Sequence, residues 1–225
     1  MNKKFVAILV MAAIGIILLS SGIRNLVLEK SARDFSDADA ESMKSLLAMS
    51  ETYAFKKDYV KAKSLLREFV ERFPDSEEAS DAKSKIETLN LQLLFSDSIA
   101  GDSLRYQIQS GDTLSGIASK FGTTVELLKK ANGLEKDIII PGRWLKVSKA
   151  KYKIFVDKKT NTLLLKTKEG ELIKTYNVST GKNFSTPVGT FTIEEKLVKP
   201  VWYKVGAVVD PGSDEYELGS RWMGL

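Results

Sequence analysis

Polar and apolar positions along this chain keep three successive rhythms, preceded by a stretch without charge. From Glu41 to about Leu94 the period is helical. Leu46, Leu47, Met49, Tyr53 and Ala54 mark a first helix, and Tyr59, Ala62, Leu65, Leu66, Phe69 and Phe73 a second. Pro74-Asp75-Ser76 interrupts the pattern, which resumes in a third helix through Ala79, Ala82, Ile86 and Leu89. Residues 31–39, just before, are polar and unpatterned and read as a linker. From Tyr106 to Val147 the spacing predicts strand, helix, helix, strand. Tyr106 and Ile108 alternate with polar neighbours, and Ser110-Gly111-Asp112 ends the strand with Asp112 as a helix cap. Leu114, Ile117, Ala118 and Phe121 form one apolar stripe, closed by Gly122. Thr123 or Thr124 caps a second helix with Val125, Leu128 and Ala131, ending at Asn132-Gly133. Ile140-Pro141-Gly142 then leads into a strand with Leu145 and Val147 on one side. The economical packing is two helices on one face of a two-stranded antiparallel sheet. After Lys149 the period is two, with strands expected at Tyr152–Val156, Thr162–Thr167, Glu171–Ser179, Thr190–Glu194 and Val201–Val205.

At SGDTLSGIASKFGTTVELLKKANGL and IIIPGRWLKV the sequence resembles a LysM module. The resemblance implies binding of glycans that contain N-acetylglucosamine, chiefly peptidoglycan and chitin, in a shallow groove between two loops. Carried over to this chain, it places Gly111, Asp112, Thr113 and Leu114 on one wall and Ile139, Ile140, Pro141 and Gly142 on the other. Exposed loop N–H groups and small residues would let a sugar N-acetyl group approach the backbone. On this reading, replacing Asp112 or Thr113 should weaken wall binding without unfolding the module. The alternative is that these residues are cap and turn chemistry with no ligand.

The segment YAFKKDYVKAKSLLREFVERFPDSEEASDAKSKIETL resembles one tetratricopeptide repeat and a following helix. So short a block is either a plain helical spacer or a docking platform for a protein partner. Further on, VSTGKNFSTPVGTFTIEEKLVKPVWY and VDPGSDEYELGSRWMGL resemble the first part of an L,D-transpeptidase catalytic domain. That family implies a cysteine thiolate, activated by histidine, that attacks a peptidoglycan stem tetrapeptide, releases its terminal D-residue and passes the acyl group to a neighbouring stem. Backbone N–H groups hold the oxyanion, and no metal or organic cofactor is implied. Thr186, Pro187 and Gly189 match the family's T-P-x-G segment and read as a rigid turn, not as reacting groups.

Composition changes this picture at one point. The 225 residues hold no cysteine and no histidine, so no catalytic position carries over and no disulfide or acylated cysteine exists. Ser179 and Ser185 are hydroxyls without a base. The family's histidine and cysteine motif would follow the strand begun at Gly219-Ser220-Arg221-Trp222-Met223, so the expectation is a catalytic domain cut short, and an inactive chain. A last apolar strand without sheet partners would expose backbone groups and Trp222.

Charge is uneven. Residues 29–104 carry 11 basic and 16 acidic side chains, residues 105–225 carry 20 and 13. The basic outer portion suits an anionic wall polymer. With no nucleic-acid motif, nucleic acid is set aside as a partner. At the start, lysines precede an uncharged run from Phe5 to Ile23, long enough to span a bilayer at about 20 apolar residues. It reads as an anchor, or else as a cleaved signal, and either exports the rest to the cell envelope.

The chain is therefore expected to be multidomain α+β. Residues 1–28 form a signal peptide or transmembrane helix, 29–40 a linker, and 41–95 a tetratricopeptide-like α-helical hairpin spacer. Residues 104–149 form a βααβ LysM module and 151–225 a partial β-rich L,D-transpeptidase domain. The function expected of the parent protein is cross-linking of stem peptides in cell-wall biogenesis. Its expected partners are glycan strands, stem peptides, the membrane and a protein at the helical spacer; the alternative is a noncatalytic peptidoglycan-binding envelope protein.

Overall fold

Helix α1 (Asp37–Phe55) begins at a capping box, four residues before the expected Glu41. The Asp39 N–H donates to the Ser36 hydroxyl, and the Ser36 N–H donates to the Asp39 carboxylate. Residues 37–40 are therefore helix and not linker, because Asp39 satisfies the donor that a glutamate more often takes. This is a computed structural model that describes residues 36–182 and 185–225. The expected membrane segment, residues 5–23, lies outside them. Among the described residues no helix is long and apolar enough to cross a membrane.

Helix α2 (Tyr59–Arg72) is capped by the Asp58 carboxylate on the Lys61 N–H, and α3 (Ala79–Leu94) follows the Pro74 break. α2 packs against both α1 and α3. The shared core holds Leu46, Ala62, Leu65, Leu66, Phe69, Phe73, Ala82 and Leu89, with Phe69 and Ala62 fully buried. Met49, expected in the stripe, is largely exposed.

Strand β1 (Ser103–Gln107) pairs antiparallel with β2 (Trp144–Ser148), setting Tyr106 opposite Leu145 and Gln107 opposite Trp144. Between them run α4 (Leu114–Phe121) and α5 (Val125–Ala131), as the spacing predicts. Gly122 ends α4 at φ 63°, a left-handed conformation that costs glycine little, and Thr124 caps α5 on the Leu127 N–H. Ile108, Leu114, Ile117, Ala118, Leu128, Leu145 and Val147 form the core, with Tyr106 set edge-on to Phe121. Asp112 is not the α4 cap: Thr113 is, and its hydroxyl accepts from the Gly116 N–H.

Strands β3 (Tyr152–Asp157), β4 (Thr162–Thr167) and β5 (Leu172–Asn177) make a three-stranded sheet in that order. β6 (Glu195–Val198) pairs antiparallel with β9 (Arg221–Gly224), and β7 (Trp202–Lys204) with β8 (Ala207–Val209). The expected strand Thr190–Glu194 is not formed; the pairing begins at Glu195, where β9 lies opposite. β9 thus has a sheet partner in β6, with Leu197 facing Trp222. The chain divides into two compact units, one running to Val156 and including Leu163–Tyr176, the other made of Asp157–Thr162 and Asn177–Leu225.

Candidate functional site

The two loops expected to wall the groove come together at the end of the β1–β2 sheet because the ladder continues one step past it. The Ile108 N–H donates to the Arg143 carbonyl at 2.9 Å, and the Gly142 N–H donates to the Ile108 carbonyl at 2.8 Å. Gln107 adds its side-chain amide to the Gly142 carbonyl at 3.1 Å. These bonds bring Gly111–Leu114 and Ile139–Gly142 to one end of the module.

The first wall is built around Asp112. Its carboxylate accepts from the Gln109 N–H at 2.7 Å and from the Tyr106 hydroxyl at 2.8 Å, while the Asp112 N–H donates to the Gln109 carbonyl at 3.2 Å. The Gln109 N–H, then Tyr106, then the charge of Lys120 hold the carboxyl below its usual range. Lys120 lies 4.8 Å from the Tyr106 ring centre and 5.4 Å from that of Phe121. Asp112 is thus a staple of the loop, and Thr113 is the cap of α4. Leu114 is 3% exposed, so its side chain belongs to the core and only its backbone can face a ligand.

On the second wall Ile139 packs against the core, whereas Ile140 is 54% exposed. Pro141 and Gly142 are exposed, and Gly142 has φ 85°. A Cβ added at Gly111 or Gly142 would meet nothing within 4 Å, so both present bare backbone to open space. Of the eight residues expected to line the groove, Gly111, Ile140, Pro141 and Gly142 offer surface. Thr113 is exposed as well while capping α4, whereas Asp112, Leu114 and Ile139 are at least partly buried. Sequence reasoning missed Ile138 and Trp144, 74% and 60% exposed beside the second wall. The signal for Trp144 was its phase, since it alternates with the buried Leu145 and Val147.

The residues matched to the transpeptidase turn lie in the second unit. The Gly181 N–H donates to the Thr186 hydroxyl at 2.7 Å, and Lys158 donates to the Thr186 carbonyl. Thr180 donates to the Asn161 side chain at 2.9 Å. Thr186 therefore closes a loop, while Pro187, Gly189, Ser179 and Ser185 are exposed.

Comparison with known proteins places names on these segments. Over 45 residues the chain is 56% identical to N-acetylmuramoyl-L-alanine amidase sle1 of Staphylococcus saprophyticus, covering 20% of this chain and 14% of that one. Over 42 residues it is 57% identical to the probable peptidoglycan endopeptidase LytE of Bacillus subtilis, covering 19% and 13%. The probable endopeptidase p60 of Listeria welshimeri is 56% identical over 41 residues, covering 18% and 8%. The chain thus spans at most 14% of the length of these relatives. Family models match residues 106–148 as a LysM domain and residues 151–222 as an L,D-transpeptidase catalytic domain. The chain thus joins a segment matched by the LysM model to one matched by the L,D-transpeptidase catalytic-domain model, together about half of its length.

Proposed function

We propose that this chain holds peptidoglycan glycan strands in the groove between residues 109–114 and 138–142, as the wall-binding part of an L,D-transpeptidase of the cell envelope. The observation that carries the reading is the pair of bare glycine backbones, Gly111 and Gly142, beside the exposed Ile140. With no side chain in the way, an N-acetyl group can reach the backbone at Gly111 and lie close against Gly142, whose N–H and carbonyl are already bonded to Ile108 and Gln107, while its methyl covers the isoleucine. The named activities of the relatives, an amidase and peptidoglycan endopeptidases, support a wall polymer as the ligand. The basic balance of residues 105–225 supports an anionic one.

The reaction we assign to the parent enzyme is acyl transfer between stem peptides, which needs a thiolate and a base. Neither cysteine nor histidine occurs in these 225 residues, so we read the chain itself as inactive. The second reading is a noncatalytic peptidoglycan-binding envelope protein. Residues 5–23 are assigned as the segment that exports the chain and tethers it to the membrane. For the helical block, α1 to α3, a spacer is the reading we adopt over a docking platform for a partner.

Co-sedimentation with purified peptidoglycan tests the binding. The parent chain should pellet with the wall, and Ile140→Asp should stay in the supernatant while keeping its circular dichroism spectrum. Equal pelleting of both chains would remove the groove assignment. Incubation of the chain with stem tetrapeptides should leave them unlinked, and a 3→3 cross-linked product would overturn the reading of inactivity.

A further inference from the structure

Lys146 is a lysine only 3% exposed, on the face of β2 turned away from the LysM core. Its ammonium donates to the Ser96 carbonyl at 2.8 Å and to the Leu93 carbonyl, at the end of α3. A helix C-terminus leaves carbonyls unpaired and carries partial negative charge, so a cation there meets a real need. Asn132 brackets the same residue, accepting from the Lys146 N–H at 2.7 Å and donating to its carbonyl at 2.9 Å. Lys130 lies 3.9 Å over the ring of Phe95, the residue that ends α3.

The middle of α3 is held just as firmly elsewhere. Asn90, 4% exposed, donates to the carbonyls of Leu172 and Ile173 in β5 at 3.1 and 3.2 Å. One turn earlier, Glu87 accepts from the Thr175 hydroxyl at 2.7 Å and pairs with Lys174 at 3.1 Å. Glu171, at the foot of β5, pairs with Lys63 of α2 at 2.8 Å and with Arg67. All of these residues lie in one compact unit. The Glu87 and Asn90 side chains of α3 are thereby spent on internal contacts, while Thr88 and Gln92 stay exposed on its other side.

We propose that α3 is a rigid beam that fixes the spacing and angle between the LysM domain and strand β5, with Lys146 and Asn90 as the positioning residues at its two joints. Its functional meaning rests on the glycan reading above: a strand held in the groove is then presented to the transpeptidase-family sheet at one offset. A module on a flexible linker would offer a range of offsets.

The absence of cysteine makes the test clean, since two introduced thiols are the only ones to label. Ser119→Cys, on α4 and outside both walls, and Glu169→Cys, after β4, are both exposed. Spin labels at these sites in the full chain, read by double electron–electron resonance, should give a single narrow distance peak. Combining Lys146→Met with Asn90→Ala should abolish that narrow peak without changing pelleting with peptidoglycan. Lys146→Arg, which keeps a cation at the helix end, should preserve it. In case the double variant unfolds, Glu87→Lys alone should broaden the peak and Glu87→Lys with Lys174→Glu should restore it. A broad distribution in the parent, or a peak equally narrow in the double variant and in Glu87→Lys, would overturn the proposal. Failure of the parent to bind peptidoglycan would remove the glycan reading and leave the distance result standing.

Discussion

Asp112 and Thr113 are neighbours with different duties, and each yields its own measurement. Thr113→Ala removes the α4 cap, at a cost of about 1 kcal/mol, read as an earlier midpoint in a urea melt. Asp112 is a matter of pH. The Gln109 N–H, Tyr106 and Lys120 lower its folded pKa below the unfolded value, so its contribution is complete above the unfolded carboxylate range. It drains away as pH falls through the lowered folded value. Asp112→Asn should therefore trail the parent in stability by a constant gap above about pH 5 and by a shrinking one below about pH 4. A gap unchanged into strong acid would show that the hydrogen bonds do not depend on the charge. Because both side chains also hold structure, a loss of wall binding in either variant is read together with its stability. Ile140 is the cleaner probe, since it is 54% exposed and caps no helix.

At the scale of elements, Phe69 ties the three helices together and is fully buried. Phe69→Ala should cost about 3–5 kcal/mol, visible as loss of helical signal at a lower temperature. The LysM core shares no residue with that cluster, so Tyr106 and Phe121 should keep their edge-on contact after α1–α3 loosen. The LysM elements were readable from sequence because their signals are local: Gly122 and Thr124 lie within one turn of what they terminate or start. The start of α1 was hidden because Asp39, not a glutamate, completes the box. β6 was misplaced for a different reason. β6 takes its register from β9, far along the chain, and no nearby pattern specifies that pairing. For the candidate groove, the motif marks which loops meet, but which side chains face outward depends on packing. Ile139 and Ile140 are adjacent and alike, yet one is core and one is surface.

For the molecule as a whole, the LysM segment, a helical block and the first strands of a second family's domain share one compact unit. The contacts of Lys146, Asn90 and Glu87 that join them could not be read from periodicity, because each crosses between elements that look independent in sequence. Everything functional rests on the groove, whose occupant is a chitin-type or peptidoglycan sugar on this account. The most direct measurement is titration of the isotope-labelled chain with a soluble N-acetylglucosamine oligomer, followed through backbone amide resonances. The account predicts shifts confined to residues 109–114 and 138–142, with the α1–α3 amides unmoved. Shifts centred on the helical block, or none at saturating sugar, would contradict it.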